Sequence, residues 1–312
     1  MSEIILETKD LTKHFGTFHA VDGLDLKVSK ASIFGFLGPN GAGKSTTLRM
    51  ILSLIKPSSG TIRIFGQDLR THRPQILGRI GAIIEKPDFY PYLSGIENLR
   101  LLSRWYGLRP DARKIDEMLD RVGLSGRGRD LVSAYSHGMK QRLGLAQAMM
   151  HDPELYILDE PTTGLDPKGI IELRELILDL KRVYNKTVIL SSHILSEIEL
   201  IADDMVIIDQ GKAMVQGPVK QLLSDQDLSV LVECDDTQKV KNILDTGYPG
   251  SSSRILSDQV IEIGMAHDKL PVLAQSLVSS GVLLYSMEYK RRLEDYFLKL
   301  TQRAGHADLD QN

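Results

Sequence analysis

The spacing of hydrophobic positions changes several times along this chain, and each change predicts a different kind of element. Residues 1–30 alternate apolar and polar side chains, as in IILETKDL, which predicts an antiparallel group of strands. Short, uninterrupted apolar runs follow at residues 32–37, 80–84, 155–158 and 187–190. Runs of this kind are typical of parallel strands buried on both faces. The pattern therefore predicts an α/β core.

A helical spacing replaces the strand pattern between the second and third apolar runs. From about residue 88 to residue 150, apolar positions recur with a period near 3.6, as in ENLRLLSRWYGL and ARKIDEMLDRVGL. We expect a helical subdomain over 88–150, inserted into a first domain that spans residues 1–225.

A second, small domain is predicted over residues 227–301. VLVECDD, QVIEIGM and VLLYSMEY have the composition of strands, and TQKVKNILDTGY and KLPVLAQSLVSSG have the spacing of helices. A terminal helix, LEDYFLKLT, follows, and residues 302–312 are expected to form a disordered tail. The order β-α-β-α-β predicts a small α/β sandwich, and a ferredoxin-like fold is one candidate for it.

Composition narrows the function classes. The chain has 312 residues, a formal net charge of −3 and a hydrophobic fraction of 42%. No global basic field points to nucleic acid, and no apolar run approaches the ~20 residues that span a bilayer. The first residues lack the basic and apolar regions of a secretory signal. The single cysteine, Cys234, cannot form an internal disulfide, so we expect a cytoplasmic protein.

A glycine-rich segment between the first buried strand and a helix matches the pattern of a phosphate-binding loop. It reads GPNGAGKST, which fits G-x-x-x-x-G-K-[ST]. Glycines let backbone N–H groups face phosphate oxygens, and the helix N-terminus adds positive potential. Lys44 is expected to reach the β- and γ-phosphates, and Ser45 to bind Mg²⁺. The expected nucleotide-binding residues of this loop are Gly38, Pro39, Asn40, Gly41, Ala42, Gly43, Lys44, Ser45 and Thr46.

Two adjacent carboxylates end the buried strand at 155–158. Asp159 would lie at the carboxyl end of that strand, where ligands bind in open α/β sheets, and would hold Mg²⁺ directly or through water. Glu160 is the candidate base or polariser for an attacking water molecule. Together with the phosphate loop, the pair predicts a chain that binds a nucleoside triphosphate with Mg²⁺ and hydrolyses it.

A third motif gives the chain its resemblance to a known family. Residues 135–142 read YSHGMKQR, which is similar to the LSGGQ signature of ATP-binding cassette (ABC) proteins. Ser136 and Gly138 match that signature, while Tyr, His and Met stand at its first, third and fifth positions. Residues 3–225 thus resemble the nucleotide-binding subunit of an ABC transporter. The resemblance implies that Ser136 and Gly138 contact ATP held by the other protomer of a dimer.

Further residues match the same family in the expected order. Asp166, in the sequence GLD, occupies the place of the family's D-loop. His193 matches the switch histidine, which the resemblance implies contacts the γ-phosphate and orients Glu160 and water. Phe15 occupies the place of the aromatic residue that stacks on adenine, although an aromatic residue there could equally fill the core.

One position departs from the family. Glu85 stands where the family normally has glutamine, in a segment that resembles the bacitracin- and lantibiotic-resistance exporter branch. Its carboxylate could bind Mg²⁺ or its water, or Glu85 could be mainly a coupling element. The aromatic residues that follow, Phe89, Tyr90 and Tyr92, either pack locally or form a groove for a short helix of a membrane partner.

The resemblance implies an ATPase that uses ATP and Mg²⁺, acts as a homodimer or heterodimer, and powers a separate transmembrane permease. Such a protein is peripheral, on the inner face of the cell membrane, and the signature and Glu85 favour export of a peptide antibiotic, a drug or a lipid-like molecule. The alternative is a non-transport ABC ATPase that acts on the ribosome or DNA. An ATP-binding regulator without turnover and an importer subunit also stay open.

Overall fold

The computed structural model of the chain describes residues 3–222, 228–248, 251–265 and 269–291. The chain divides into two compact units, Met1–Pro218 and Val219–Asn312. The terminal helix and the tail that the sequence predicts, at 293–301 and 302–312, lie outside the described residues. In the described part of the chain, no helix is long and apolar enough to cross a membrane.

The strands of the first unit form two sheets. In chain order they are β1 (Ile4–Phe15), β2 (Phe18–Ser29), β3 (Ile33–Leu37), β4 (Ser59–Ile64), β5 (Gln67–Asp68), β6 (Ile80–Ile83), β7 (Leu155–Leu158), β8 (Thr187–Ser192), β9 (Asp204–Asp209) and β10 (Lys212–Pro218). One sheet has the order β2-β1-β4-β5 and is antiparallel, as the alternating pattern predicted. The other has the order β10-β9-β3-β8-β7-β6.

The second sheet positions the side chains that the sequence predicts for nucleotide binding and hydrolysis. Strands β9, β3, β8, β7 and β6 run parallel, and β10 pairs with β9 through a hairpin at Gln210 and Gly211, both with positive φ. All residues of β3, β7 and β8 are buried, which confirms the predicted central strands. Because β8 lies between β3 and β7, the loops that follow these three strands meet at one edge of the sheet.

Helices pack around these sheets. In chain order they are α1 (Lys44–Ile51), α2 (Arg73–Leu77), α3 (Gly95–Ser103), α4 (Ala112–Arg121), α5 (His137–Met149), α6 (Pro167–Arg182) and α7 (Leu195–Ile201). The predicted helical segment corresponds to α3, α4 and α5, inserted between the neighbouring parallel strands β6 and β7. A capping box formed by Ser94 and Glu97 begins α3, and the Asp111 carboxylate caps α4.

The second unit contains α8 (Val219–Leu222), β11 (Leu228–Cys234), α9 (Thr237–Gly247), β12 (Ser252–Ile255), β13 (Val260–Gly264), α10 (Leu270–Ser279) and β14 (Leu284–Arg291). Its antiparallel sheet has the order β12-β13-β11-β14. From β11 onward the sequence β-α-β-β-α-β is that of a ferredoxin-like fold. The predicted order lacked one strand: β12 was missed, because SSRI carries a single aliphatic residue.

The core of the second unit is apolar. Val232, Leu244, Ile261 and Leu273 are fully buried and belong to one cluster, which also contains Cys234. Burial raises the pKa of the Cys234 thiol. The thiol is thus a packed core group without a disulfide partner in the described chain.

Candidate active site

The phosphate loop connects β3 to α1 and leaves little room around its glycines. Gly43 has a φ of 104°, and a Cβ atom there would lie 2.4 Å from the Ala20 carbonyl oxygen. A Cβ atom on Gly38 would lie 2.4 Å from the carbonyl oxygen of Ile208. Glycine is therefore required at both positions, and the backbone curls tightly enough to form the cradle that phosphate groups need.

Lys44 is the first residue of α1, and its side chain turns back into this loop. Its side chain is only 5% exposed, and Nζ donates hydrogen bonds to the carbonyl oxygens of Gly38, at 2.7 Å, and Pro39, at 3.1 Å. Nζ is also 3.3 Å from Oε1 of Glu160. Burial lowers the pKa of Lys44, and the neighbouring Glu160 carboxylate opposes that shift. The loop thus holds a buried cation that is paired with a carboxylate.

The acidic pair at the end of β7 is held by Ser191, from the neighbouring strand. The Ser191 hydroxyl donates to Oδ1 of Asp159 at 2.6 Å and accepts the Glu160 N–H at 2.8 Å. The sheet register explains the contact: Leu158 pairs with Leu190, so Asp159, which follows β7, lies beside Ser191 of β8. One hydroxyl therefore fixes both the buried Asp159 and the backbone of Glu160.

Glu160 is the centre of the site. Its φ of 46° is in the left-handed region, which non-glycine residues rarely adopt. Oε1 faces Lys44, while Oε2 accepts a hydrogen bond from Thr163 Oγ1 at 2.9 Å and lies 2.9 Å from Nδ1 of His193. Burial disfavours the charged carboxylate, but Lys44, Thr163 and His193 together hold the pKa of Glu160 below its usual value. The group is therefore ionised at neutral pH and able to accept a proton.

The Ser191→Ala substitution tests this arrangement through stability. It leaves a buried carboxylate oxygen and a backbone N–H without their partner, so we expect the free energy of unfolding to fall by about 1–3 kcal/mol. Urea unfolding of the full chain, followed by circular dichroism, measures the change. The matched control is Ser196→Ala on the exposed face of α7, expected to stay within about 0.5 kcal/mol of the unsubstituted chain. Equal effects of the two substitutions would contradict the bridging role.

Two other predicted site residues cap helices of their own chain. Oγ of Ser136 accepts a hydrogen bond from the Met139 N–H at 3.2 Å and so caps the start of α5. Gly138 lies in the same first turn of this helix. Oδ1 of Asp166 accepts the Gly169 N–H at 3.2 Å at the start of α6. The contacts to a second protomer that the resemblance implies for these residues stay predictions.

Phe15 lies at the end of β1, where the chain turns into β2. Its ring is half exposed, so it does not fill the core, and Nζ of Lys13 lies 4.9 Å from the ring centroid in a cation–π contact. Stacking on adenine stays a prediction for this residue.

Glu85 follows β6 with a φ of 64°, and 67% of its side chain is exposed. Its carboxylate forms an ion pair with the guanidinium group of Arg49 on α1. The structure thus ties Glu85 to the helix that begins at the phosphate loop, and the metal-ligand role stays a prediction. Within the described residues, no cluster of three acidic, histidine or cysteine side chains could hold a metal by itself. That is compatible with Mg²⁺, which proteins bind through few side chains together with substrate phosphates.

Several residues of this site were not predicted from the sequence. Ser191 and Thr163 contact the acidic pair directly, as described above. Behind them, Oε2 of Glu197 accepts hydrogen bonds from Thr162 and Ser192, each at 2.8 Å. In the sequence, Ser191 and Ser192 stand immediately before His193, and this position is the signal that indicates their place in the site.

The fold and the site together define a P-loop nucleoside triphosphatase. A glycine loop encloses a buried lysine, an acidic strand end lies beside it, and an ionised glutamate is held by a histidine. The inserted helical segment and the added antiparallel sheet distinguish it from a minimal P-loop core.

Comparisons with known proteins identify the family. The family model described as "ABC transporter" matches residues 21–163. The bacitracin transport ATP-binding protein BcrA of Bacillus licheniformis is 41% identical over 95% of this chain and 97% of its own length. For BcrA of Enterococcus faecalis the identity is 37%, over 98% and 99%. A solved structure described as the ATP binding subunit of an ABC transporter is 32% identical, covers 70% of this chain and 91% of its own, and has a TM-score of 0.62.

The chain belongs to the ABC transporter family, as an ATP-binding subunit. It is an ATPase that binds ATP, and the family, fold class and enzymatic activity predicted from the sequence are confirmed.

Proposed function

We propose that this chain powers a separate membrane permease that exports a peptide antibiotic, a drug or a lipid-like molecule. Two relatives that match almost the whole chain are named for bacitracin transport. The match to these relatives extends through the second unit and is not confined to the cassette, which further supports a shared transport function. The alternative, a non-transport ATPase of the ribosome or DNA, is not favoured by these relatives.

The observation that carries the proposed chemistry is the environment of Glu160. Its ionised carboxylate is positioned by Thr163 and His193, so it can accept the proton of an attacking water molecule while His193 keeps its orientation. The cradle formed by Gly38 and Gly43 fits a triphosphate, and Lys44 supplies the buried positive charge.

Mg²⁺ fits the donor set at the same edge of the sheet. Ser45 and Asp159 offer a hydroxyl and a buried carboxylate, the oxygen ligands that Mg²⁺ prefers alongside phosphate. The ion would neutralise charge on the phosphates. Asp159 is held for this role by Ser191, which fixes one of its oxygens and leaves the other available.

The proposed assembly is a dimer of cassettes on the inner face of the membrane. Ser136, the N-cap of α5, and Gly138, in its first turn, would contact the ATP of the second cassette. Tyr90 and Tyr92 are exposed and pack edge to face, with ring centroids 5.8 Å apart, whereas Phe89 is buried. We therefore assign Phe89 to local packing, and Tyr90 and Tyr92 to the surface that receives a helix of the permease.

The test begins with a gentle pull-down of the full chain from solubilised host membranes. We expect a polytopic permease with about six apolar spans of ~20 residues to copurify. Coexpression of the two proteins in a bacitracin-sensitive host should raise the minimum inhibitory concentration of bacitracin, or of a related peptide antibiotic. The matched control is the same pair with the Glu160→Gln chain, which should give no protection.

Recovery of soluble or ribosomal partners alone would overturn the transport proposal in favour of the alternative. Protection that persists with the Glu160→Gln chain would show that resistance does not depend on hydrolysis by this subunit.

A further inference from the structure

The signature segment contacts the loop that carries the catalytic carboxylate. His137, the first residue of α5, places Nε2 3.0 Å from the carbonyl oxygen of Thr163. A carbonyl oxygen only accepts hydrogen bonds, so Nε2 must carry the proton and donate it. Thr163 belongs to the loop 159–166 between β7 and α6, which also contains Glu160.

Thr163 continues the connection to the catalytic group. Its hydroxyl donates to Oε2 of Glu160 at 2.9 Å. His137, Thr163 and Glu160 therefore form an unbroken series of contacts, from the start of the signature helix to the carboxylate. Its last member, Glu160, also faces His193 and Lys44.

The ring of His137 also packs closely on this loop. A Cβ atom at Gly164 would lie 3.3 Å from both Cδ2 and Nε2 of the His137 ring, and Gly164 has a φ of 78°. A glycine at this position lets the backbone approach the imidazole and adopt the left-handed conformation. The loop is thus shaped around a ring at position 137.

Capping the helix does not require His137. Ser136 already accepts the Met139 N–H and thereby caps α5, so the imidazole is free to serve the contact with Thr163. This separation of tasks makes the role of His137 testable without loss of the cap.

We propose that His137 is a positioning residue for ATP hydrolysis: through Thr163 it orients Glu160, and so links the signature segment to the catalytic carboxylate of the same chain. The inference rests on the proposed catalytic role of Glu160. In a dimer, a shift of the segment that contains Ser136 would move His137 and hence the hydroxyl that holds Oε2. The position of the signature segment therefore affects the orientation of the Glu160 carboxylate in its own protomer.

The test measures steady-state ATPase kinetics of the full chain and its variants. His137→Ala should lower kcat about fivefold, the effect of one ordinary hydrogen bond, and leave KM for ATP within about twofold. His137→Gln retains an N–H donor of similar reach and should restore most of kcat. Thr163→Val removes the hydroxyl and should lower kcat by a similar factor, whereas Thr163→Ser keeps the hydroxyl and should restore most of kcat.

The double variant separates this route from a merely structural one. If His137 acts on Glu160 through the Thr163 hydroxyl, His137→Ala should have little further effect on kcat in the Thr163→Val background. The thermal unfolding midpoints of the His137 variants should shift by no more than about 4 °C, since His137 is only half-buried and the Ser136 cap is intact.

The inference would be overturned if the effects of His137→Ala and Thr163→Val on kcat multiplied in the double variant. It would also be overturned if His137→Ala left kcat unchanged or raised only KM. These results are distinguishable from a failure of the proposed function. If the Glu160→Gln chain hydrolyses ATP normally, the catalytic assignment fails and the inference fails with it. If that chain is inactive and the two effects multiply, the inference alone fails.

Discussion

Glu160→Gln is expected to reduce ATP hydrolysis by about 10²- to 10⁴-fold, the usual contribution of a general base. Glutamine keeps an oxygen that can accept the Thr163 hydroxyl, so the geometry of the loop should persist while the negative charge and the basic group are lost. ATP should still bind, because Lys44 and the phosphate loop are intact. The ATP-bound form should then accumulate as a dimer.

Phosphate release and analytical ultracentrifugation with ATP measure the two parts of this prediction. Glu175→Gln on the exposed face of α6 is the matched control and should retain normal turnover. Normal turnover in Glu160→Gln would remove Glu160 from the catalytic machinery. Loss of ATP binding would instead show that the carboxylate serves mainly to hold Lys44 in place.

Lys44→Ala is expected to weaken ATP binding by about 10- to 100-fold, because hydrogen bonds from a charged donor contribute roughly 1.5–3 kcal/mol. The substitution also leaves the carbonyl oxygens of Gly38 and Pro39 without their donor and Glu160 without its cation. Titration calorimetry with ATP measures the affinity.

A matched control for this experiment is Lys27→Ala on an exposed position of β2. It removes the same charge from the chain and should leave ATP affinity within about twofold, since exposed charges are strongly screened. An unchanged affinity in Lys44→Ala would refute the interpretation of residues 38–46 as a phosphate-binding loop.

The central strands and the phosphate loop were predictable because their signals are local. An uninterrupted apolar run such as Leu155–Leu158 has few alternatives to a buried strand, and the structure begins and ends β7 at those residues. In the loop between β3 and α1, the backbone geometry at Gly38 and Gly43 leaves no room for a side chain, so both positions require glycine. Both signals lie within a few residues of the feature they predict.

Contacts between distant segments were less predictable. Ser191 contacts Asp159 only because β7 and β8 are neighbours in a particular register. The sequence of either segment alone does not predict that register. The ion pair between Glu85 and Arg49 similarly depends on where α1 lies relative to the end of β6. The sequence offered two roles for Glu85, and the partner of its carboxylate became visible only in three dimensions.

Weak local patterns account for the strand that was missed. In β12, SSRI alternates between exposed and half-buried positions and contributes little to the core, so its apolar signal is faint. Pairing with β13 stabilises it instead. Strand formation there is a property of the sheet and its neighbours.

The burial of Cys234 makes the chain well suited to site-specific labelling. It is the sole cysteine of the sequence, and its thiol is packed in the core with a raised pKa, so little reactive thiolate forms at neutral pH. A cysteine introduced at an exposed position would then be the dominant site for a maleimide fluorophore or a spin label. Distances between two such probes, one in each protomer, could follow cassette closure in the otherwise unaltered chain.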